Sequence, residues 1–189
     1  MARPVCEQCG QHPRICVCDV CRPVPNSTPI TIVQHPREAG HSKGTVRLLR
    51  QTLTNLSVQV AECLPPEALP QAGAALLFPG PDSQPVTSRN AAEIRHWIVL
   101  DGTWRKASRL LHLNPELAGL PAYHFADPPP GRYRIRRRPA EGQLSTAEAV
   151  RHLLMIVEPD LDTRPIDDAF EALVERLINQ IPEHLRHRY

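Results

Sequence analysis

Four cysteines near the start of the chain, Cys6, Cys9, Cys16 and Cys18, form a C-x2-C-x6-C-x-C pattern. Two close pairs of this kind can fold a short loop around one tetrahedral zinc through four thiolates. A centre closed by four thiolates is structural, because a catalytic zinc keeps one coordination position open. Five of the six cysteines fall between Cys6 and Cys21, and no charged-then-apolar secretory segment precedes them. That favours a reducing cytoplasm and a metal over a disulfide framework. Cys21 is a surplus ligand that either replaces Cys18 or does nothing, and isolated Cys63 reads as a small core hydrophobe.

A second region with chemical potential is Trp97-Ile98-Val99-Leu100-Asp101-Gly102-Thr103-Trp104, which leaves an apolar strand and enters a helix. Open α/β sheets bind ligands at such strand ends. Asp101 supplies a carboxylate at the exit, Gly102 permits close backbone approach, Thr103 can cap the next helix and Trp104 presents a flat apolar face. The plainer alternative makes Asp101 and Thr103 helix caps and Trp104 a core residue. The turn Leu77-Phe78-Pro79-Gly80 ends another apolar strand and can wall a small-molecule pocket.

Cations gather in two places. Arg105 and Arg109 lie one helical turn apart beside Lys106, and residues 132–138 contain five arginines. Alternation there puts Arg132, Arg134 and Arg136 on one face of a strand, suited to an RNA backbone or, more plainly, to a solvated edge. His35, Arg37 and Glu38 follow the first strand and are candidates for the rim of the site. The net charge is only +2, yet residues up to 150 hold 17 basic and 12 acidic groups against 5 and 8 beyond. The positive charge is sided.

These residues need elements to hold them. With 189 residues, 41% of them hydrophobic, the chain can bury one core plus a small appendage. No run approaches the ~20 apolar residues of a membrane span, and the mean hydropathy is −0.32, so no membrane partner is expected. Strand-like runs cover residues 30–34, 57–60, 74–78, 97–100 and 133–135; helical spacing covers 43–56, 90–96, 104–112, 146–157 and 167–179. The 21 prolines punctuate the connections. Alternation of strand and helix predicts an α/β fold with a mostly parallel sheet. Ser145 and Glu148 read as a capping box. The expected organisation is a zinc-binding module over residues 1–28 and a catalytic domain over 29–189.

Together the four-cysteine start, His35-Pro36-Arg37-Glu38, Leu77-Phe78-Pro79-Gly80, Leu100-Asp101-Gly102-Thr103-Trp104 and Leu144-Ser145-Thr146-Ala147-Glu148-Ala149 resemble the DTW-domain family over almost the whole chain. The signature looks like Asp101, Thr103 and Trp104 with Gly102 between. The resemblance implies a SPOUT-like fold with a C-terminal trefoil knot and a tRNA-uridine aminocarboxypropyltransferase. Such an enzyme moves the 3-amino-3-carboxypropyl group of S-adenosylmethionine to uracil N3. It also implies cofactor contacts at Leu77, Phe78, Pro79, Gly80, Leu100, Gly102, Leu144, Ser145, Thr146 and Ala149, with Asp101, Thr103 and Trp104 at the reacting centre. His35, Arg37, Arg105, Arg132, Arg134 and Arg136 would then meet RNA, with no DNA partner expected. Asp101 is either the base that takes the N3 proton or the anchor for the cofactor's amino group. A methyltransferase on the same scaffold, a ribosomal RNA target and a non-catalytic zinc RNA-binding protein are the rival readings.

Overall fold

Runs of apolar residues without polar alternation need cover on both faces, and these runs form the middle of the sheet. The computed structural model describes residues 4–70, 72–135 and 143–188. Its strands are β1 (Ile30–Gln34), β2 (Leu56–Val60), β3 (Ala74–Leu77), β4 (Gln84–Pro85), β5 (His96–Asp101) and β6 (Ala122–His124). They make one sheet in the order β2-β1-β5-β3-β6-β4, with every pairing parallel. β1 and β3 are buried throughout, whereas edge strand β2 is only partly covered.

The two faces separate with period 2, as strand geometry requires. Ile30, Ile32, Trp97 and Val99 point into the larger core with Leu153, Phe170 and Leu173, which come from helices α6 (Thr146–Val157) and α7 (Arg164–Asn179). Helix α2 (Val46–Thr52) joins that layer through Val46, Leu48 and Leu49. Val33, Leu76 and Ile98 point the other way, onto Leu110 of α4 (Trp104–Leu113) and Leu117 of α5 (Pro115–Ala118). The short helices α1 (Pro36–Ala39) and α3 (Ser88–Ala91) complete the chain. Among the described residues no helix is long and apolar enough to cross a membrane.

Sequence and structure part at several edges. The helix expected over 43–56 ends at Thr52, and Leu56 opens β2 instead. His96, expected in a helix, begins β5. The strand expected over 133–135 does not form: Arg134 and Ile135 lie in a turn, and Ile135, 2% exposed, plugs the larger core. The sheet is instead completed by the very short β6 and β4. Cys63, expected in the core, is exposed.

The N-terminal segment is sewn into the same core. Ile15, Val17 and Val24 are buried in it, Val24 bridges to Leu53, and Asp19 pairs with Arg176 of α7 at 2.6 Å. Glu158, the residue after α6, accepts hydrogen bonds from the amides of Ser27 and Thr28 at 3.0 and 2.7 Å. Burial pushes this carboxyl up, but the two amides outweigh it and hold it below the ordinary value of 4.5. A depressed carboxylate stabilises the fold above its unfolded pKa and loses that contribution as pH falls through the folded one. Glu158→Gln is therefore expected to destabilise the protein by about 1–3 kcal/mol at neutral pH. Thermal melts of both proteins should converge at acid pH; a constant gap would point to packing instead.

Candidate functional site

The register of the sheet builds the centre of the site. Gln34 stands opposite Asp101 on adjacent parallel strands, so both side chains leave the sheet on the same face at its carboxyl end. Gln34 Nε2 donates to Asp101 Oδ2 at 2.8 Å, and Thr146 Oγ1 donates to Asp101 Oδ1 at 2.5 Å. Asp101 is only 8% exposed, and both of its oxygens accept hydrogen bonds, which satisfies them below the surface.

Thr146 reaches Asp101 because the start of α6 is fixed by several bonds. Ser145 and Glu148 form the expected capping box: Glu148 Oε2 accepts from the Ser145 amide at 2.8 Å. Its other oxygen accepts from the Arg132 amide at 2.5 Å, so one buried carboxylate pins both the helix start and the 132 loop. Thr45, just before α2, accepts from the Ala147 amide at 3.2 Å. Gly131 is required here, because a Cβ on it would stand 2.6 Å from the carbonyl oxygen of Gln143.

Around Asp101 opens a cavity of ≈ 880 Å³ at the carboxyl ends of β3, β5 and β6. Leu77, Phe78, Pro79, Leu100, Gly102, Thr103, Trp104, Leu144, Ser145, Thr146 and Ala149 all line it, so three separated sequence motifs converge. Gly80 does not line it. Its amide and carbonyl are tied to Ser83 Oγ in an exposed turn. Thr103 caps α4, accepting from the Lys106 amide, and Ser145 Oγ accepts from the Glu148 amide; both hydroxyls thus serve helix starts. Trp104, for which a core position was the plainer reading, is 53% exposed and leans on Phe78 with ring centroids 5.3 Å apart. Gly102 keeps the strand exit close to α4, since a Cβ there would meet Lys106 Cβ at 3.0 Å.

His124 lines the same cavity and had no sequence signal. Its Nδ1 lies 2.8 Å from Ser83 Oγ, while that hydroxyl also donates to the Gly80 carbonyl at 2.7 Å and accepts from the Gly80 amide. A hydroxyl has one hydrogen, so all three contacts hold together only if His124 carries its proton on Nδ1. In the neutral imidazole this leaves the lone pair on Nε2.

The basic residues sort into free and engaged. Arg37, Arg105 and Arg134 are exposed and make no ion pair among the described residues. Arg132 does not present a free charge: it pairs with Asp167 and Glu171 of α7 and lies over Phe170. His35, expected at an RNA contact, is 3% exposed. Its Nδ1 accepts from the Arg37 amide at 3.2 Å and its Nε2 meets Glu62 at 2.9 Å, so the ring caps α1 and is closed to a ligand. Arg109 completes that cluster and is the main cause holding the Glu62 carboxyl below its usual range. Lys106 pairs with Glu38 at 2.5 Å. Arg136 lies outside the described residues.

The four N-terminal cysteines meet as expected. Cys6, Cys9, Cys16 and Cys18 place their sulfurs within 4.8 Å of one another, with Cys9–Cys16 at 3.6 Å and Cys6–Cys18 at 4.0 Å. Tetrahedral zinc with bonds of about 2.3 Å sets its sulfurs ~3.8 Å apart, so the donor set fits that ion. The backbone amide of Cys9 leads the effects that lower the Cys6 thiol to about 7, while burial raises those of Cys16 and Cys18. Cys21 stands outside the cluster, packs against the core, and is raised to about 11, chiefly by burial.

Comparison with known proteins adds an independent line. The chain is 26% identical to tRNA-uridine aminocarboxypropyltransferase A of Arabidopsis thaliana, over 97% of its own length and 80% of that protein. It is 28% identical to tRNA-uridine aminocarboxypropyltransferase 2 of Drosophila melanogaster, over 96% and 78%. It is 26% identical to the Macaca fascicularis protein of the latter name, spanning 82% of this chain and only 57% of that one. No solved structure gives a significant match. The DTW domain matches residues 3–178, a span that takes in the four cysteines, the Asp101 cavity and both main helices of the larger core. The chain belongs to the DTW domain family.

Proposed function

We propose that this protein transfers the 3-amino-3-carboxypropyl group of S-adenosylmethionine to N3 of a uridine in tRNA, releasing methylthioadenosine. The observation that carries the reading is Asp101, held as a carboxylate by Gln34 and Thr146 inside a cavity with a long apolar wall. The names of the relatives support aminocarboxypropyl transfer to a tRNA uridine.

The residues present suit the donor. Leu77, Phe78, Leu100 and Leu144 offer the apolar surface an adenine ring needs, and Asp101 offers the anion that an amino acid's ammonium needs. S-adenosylmethionine bound there would supply an electrophilic methylene whose bond to the sulfonium sulfur breaks, with release of methylthioadenosine, as uracil N3 loses its proton and bonds to that carbon. Regiochemistry then depends on anchoring the amino acid end, since the methylene and not the methyl must face the nucleophile. A carboxylate already accepting two hydrogen bonds suits this anchoring better than it suits proton removal. His124 Nε2, with its lone pair free, is the better proton acceptor, and exposed Trp104 is a platform on which a uracil can stack.

For the RNA, exposed Arg37, Arg105, Arg134 and cavity-lining Lys43 supply sequence-independent phosphate contacts. We assign the four-cysteine centre to a structural zinc in a module over residues 1–28, with catalysis in 29–189. A SPOUT-like trefoil knot is consistent with β5 lying between β1 and β3, and with the start of α6 packing against Thr45 and Asp101.

The test is incubation with unmodified tRNA and S-adenosylmethionine labelled in either the carboxyl or the methyl group. Carboxyl label should enter RNA with release of methylthioadenosine. Methyl label alone would make the protein a methyltransferase, and RNA binding with no affinity for S-adenosylmethionine would make it a binding protein.

A further inference from the structure

A buried guanidinium without an anion is a rare and costly object, because arginine does not shed its proton to escape burial. Arg47 on α2 is one. All three of its guanidinium nitrogens are shielded from solvent, and none has a hydrogen-bond partner among the described residues. It lines a cavity of ≈ 310 Å³ together with Cys9, one of the four clustered cysteines. The carboxylate that shares this cavity, Glu38, is committed to Lys106, and the other titratable groups lining it, His41 and Arg50, are exposed and carry no negative charge.

An anion from solution does not solve the problem, since the nitrogens are closed to water and so to phosphate. The compensating charge must come from inside. Four thiolates around one zinc carry a net charge of −2, and among the described residues this cluster borders the same cavity through Cys9.

We propose that Arg47 is the internal counter-cation of the metal-loaded four-thiolate centre, so that metal occupancy and the seating of α2 are one equilibrium. The proposal rests on the zinc reading above. It also gives the metal a route to the catalytic cavity: Arg47 lies two residues from Thr45, which holds the start of α6, and Thr146 of that helix holds Asp101. Arg47 is a positioning residue and touches no reacting atom.

The experiment is competition for zinc between a chromogenic chelator and the full-length protein as wild type, Arg47→Met, Arg47→Lys and Arg50→Met. Loss of a group that supports metal ligands from outside the coordination sphere typically weakens binding by ~10–100-fold. Arg47→Met should therefore lose at least about tenfold in zinc affinity, Arg47→Lys much less, and Arg50→Met nothing measurable. Melting each protein with and without metal supplies a second readout. Arg47→Met should narrow the gap between the two forms, because the metal-free form is relieved of its unpaired cation. Wild-type affinity in Arg47→Met overturns the proposal. So does an equal fall in both melting temperatures, which would mean packing alone, or an equal loss in Arg50→Met, which would mean a general field. If phosphate stabilises wild type but not Arg47→Met while zinc affinity is unchanged, the residue serves an outside anion instead. A wild-type protein that takes up no zinc overturns the zinc reading itself.

Discussion

Asp101→Asn is expected to remove ~10²–10³-fold of the affinity for S-adenosylmethionine while leaving the protein folded. The change is nearly isosteric, and the neighbours can adjust. The new amide keeps one acceptor oxygen, and opposite its NH2 either the Gln34 amide can turn over or the Thr146 hydroxyl can accept instead of donate, so the two hydrogen bonds that reach Asp101 at 2.8 and 2.5 Å have replacements. What cannot be replaced is the negative charge. Stripping one partner from a buried ion pair costs about 3–5 kcal/mol, and each 1.4 kcal/mol is about tenfold in affinity. Calorimetric titration of both proteins with S-adenosylmethionine and with methylthioadenosine separates the possible roles. Methylthioadenosine lacks the amino acid end, so its affinity should be the same in wild type and variant. Unchanged S-adenosylmethionine binding with lost turnover would return Asp101 to the role of base and displace His124 from it.

The same geometry explains which parts of this site could be read from the sequence. Asp101 was legible because a continuous apolar run, Trp97 to Leu100, forces a central strand, and the residue ending such a strand stands at a ligand-binding edge. Helix α6 was legible through its ends: Ser145 and Glu148 announce the capping box, and the structure begins the helix at Thr146 as expected. Local chemistry also announced the four-cysteine cluster. Failure set in where a residue's role depends on a partner far along the chain. His124 acquires its tautomer from Ser83, 41 positions away, and Thr45 meets Ala147, 102 positions away. Arg132 carries the same charge whether it faces RNA or the carboxylates of α7, and alternation could not distinguish them. Ile135 misled for a related reason. Between arginines it reads as one face of a strand, whereas its burial is set by a core assembled from α2, α6 and α7.

Loss of the proposed zinc is expected to have the largest effect on stability, and Cys16→Ser is the sharpest way to impose it. Cys16 sits between Ile15 and Val17, which are 8% and 3% exposed in the larger core. Its sulfur lies 3.6 Å from that of Cys9, within the four-sulfur cluster. On the zinc assignment proposed above, a loop this short has no core of its own and depends on the ion to present Ile15 and Val17 to the larger core. Without it, Ile15 and Val17 lose the constraint that inserts them, and the Asp19–Arg176 pair loses one of its ends. Burying two such side chains is worth about 1.5–3 kcal/mol each, or ~3–6 kcal/mol together as an upper estimate. For a protein of this size that corresponds to a fall in Tm of roughly 6–24 °C. Wild type should hold close to one zinc per chain by elemental analysis, and Cys16→Ser should hold far less and melt earlier. Cys21→Ser is the control, because that thiol stands outside the cluster and burial keeps it protonated, with a pKa of about 11. It should keep its zinc. If Cys16→Ser retained metal and wild-type stability while Cys21→Ser lost both, the ligand set would have to be redrawn around Cys21, and the support that the zinc loop gives to α7 and α2 would fall with it.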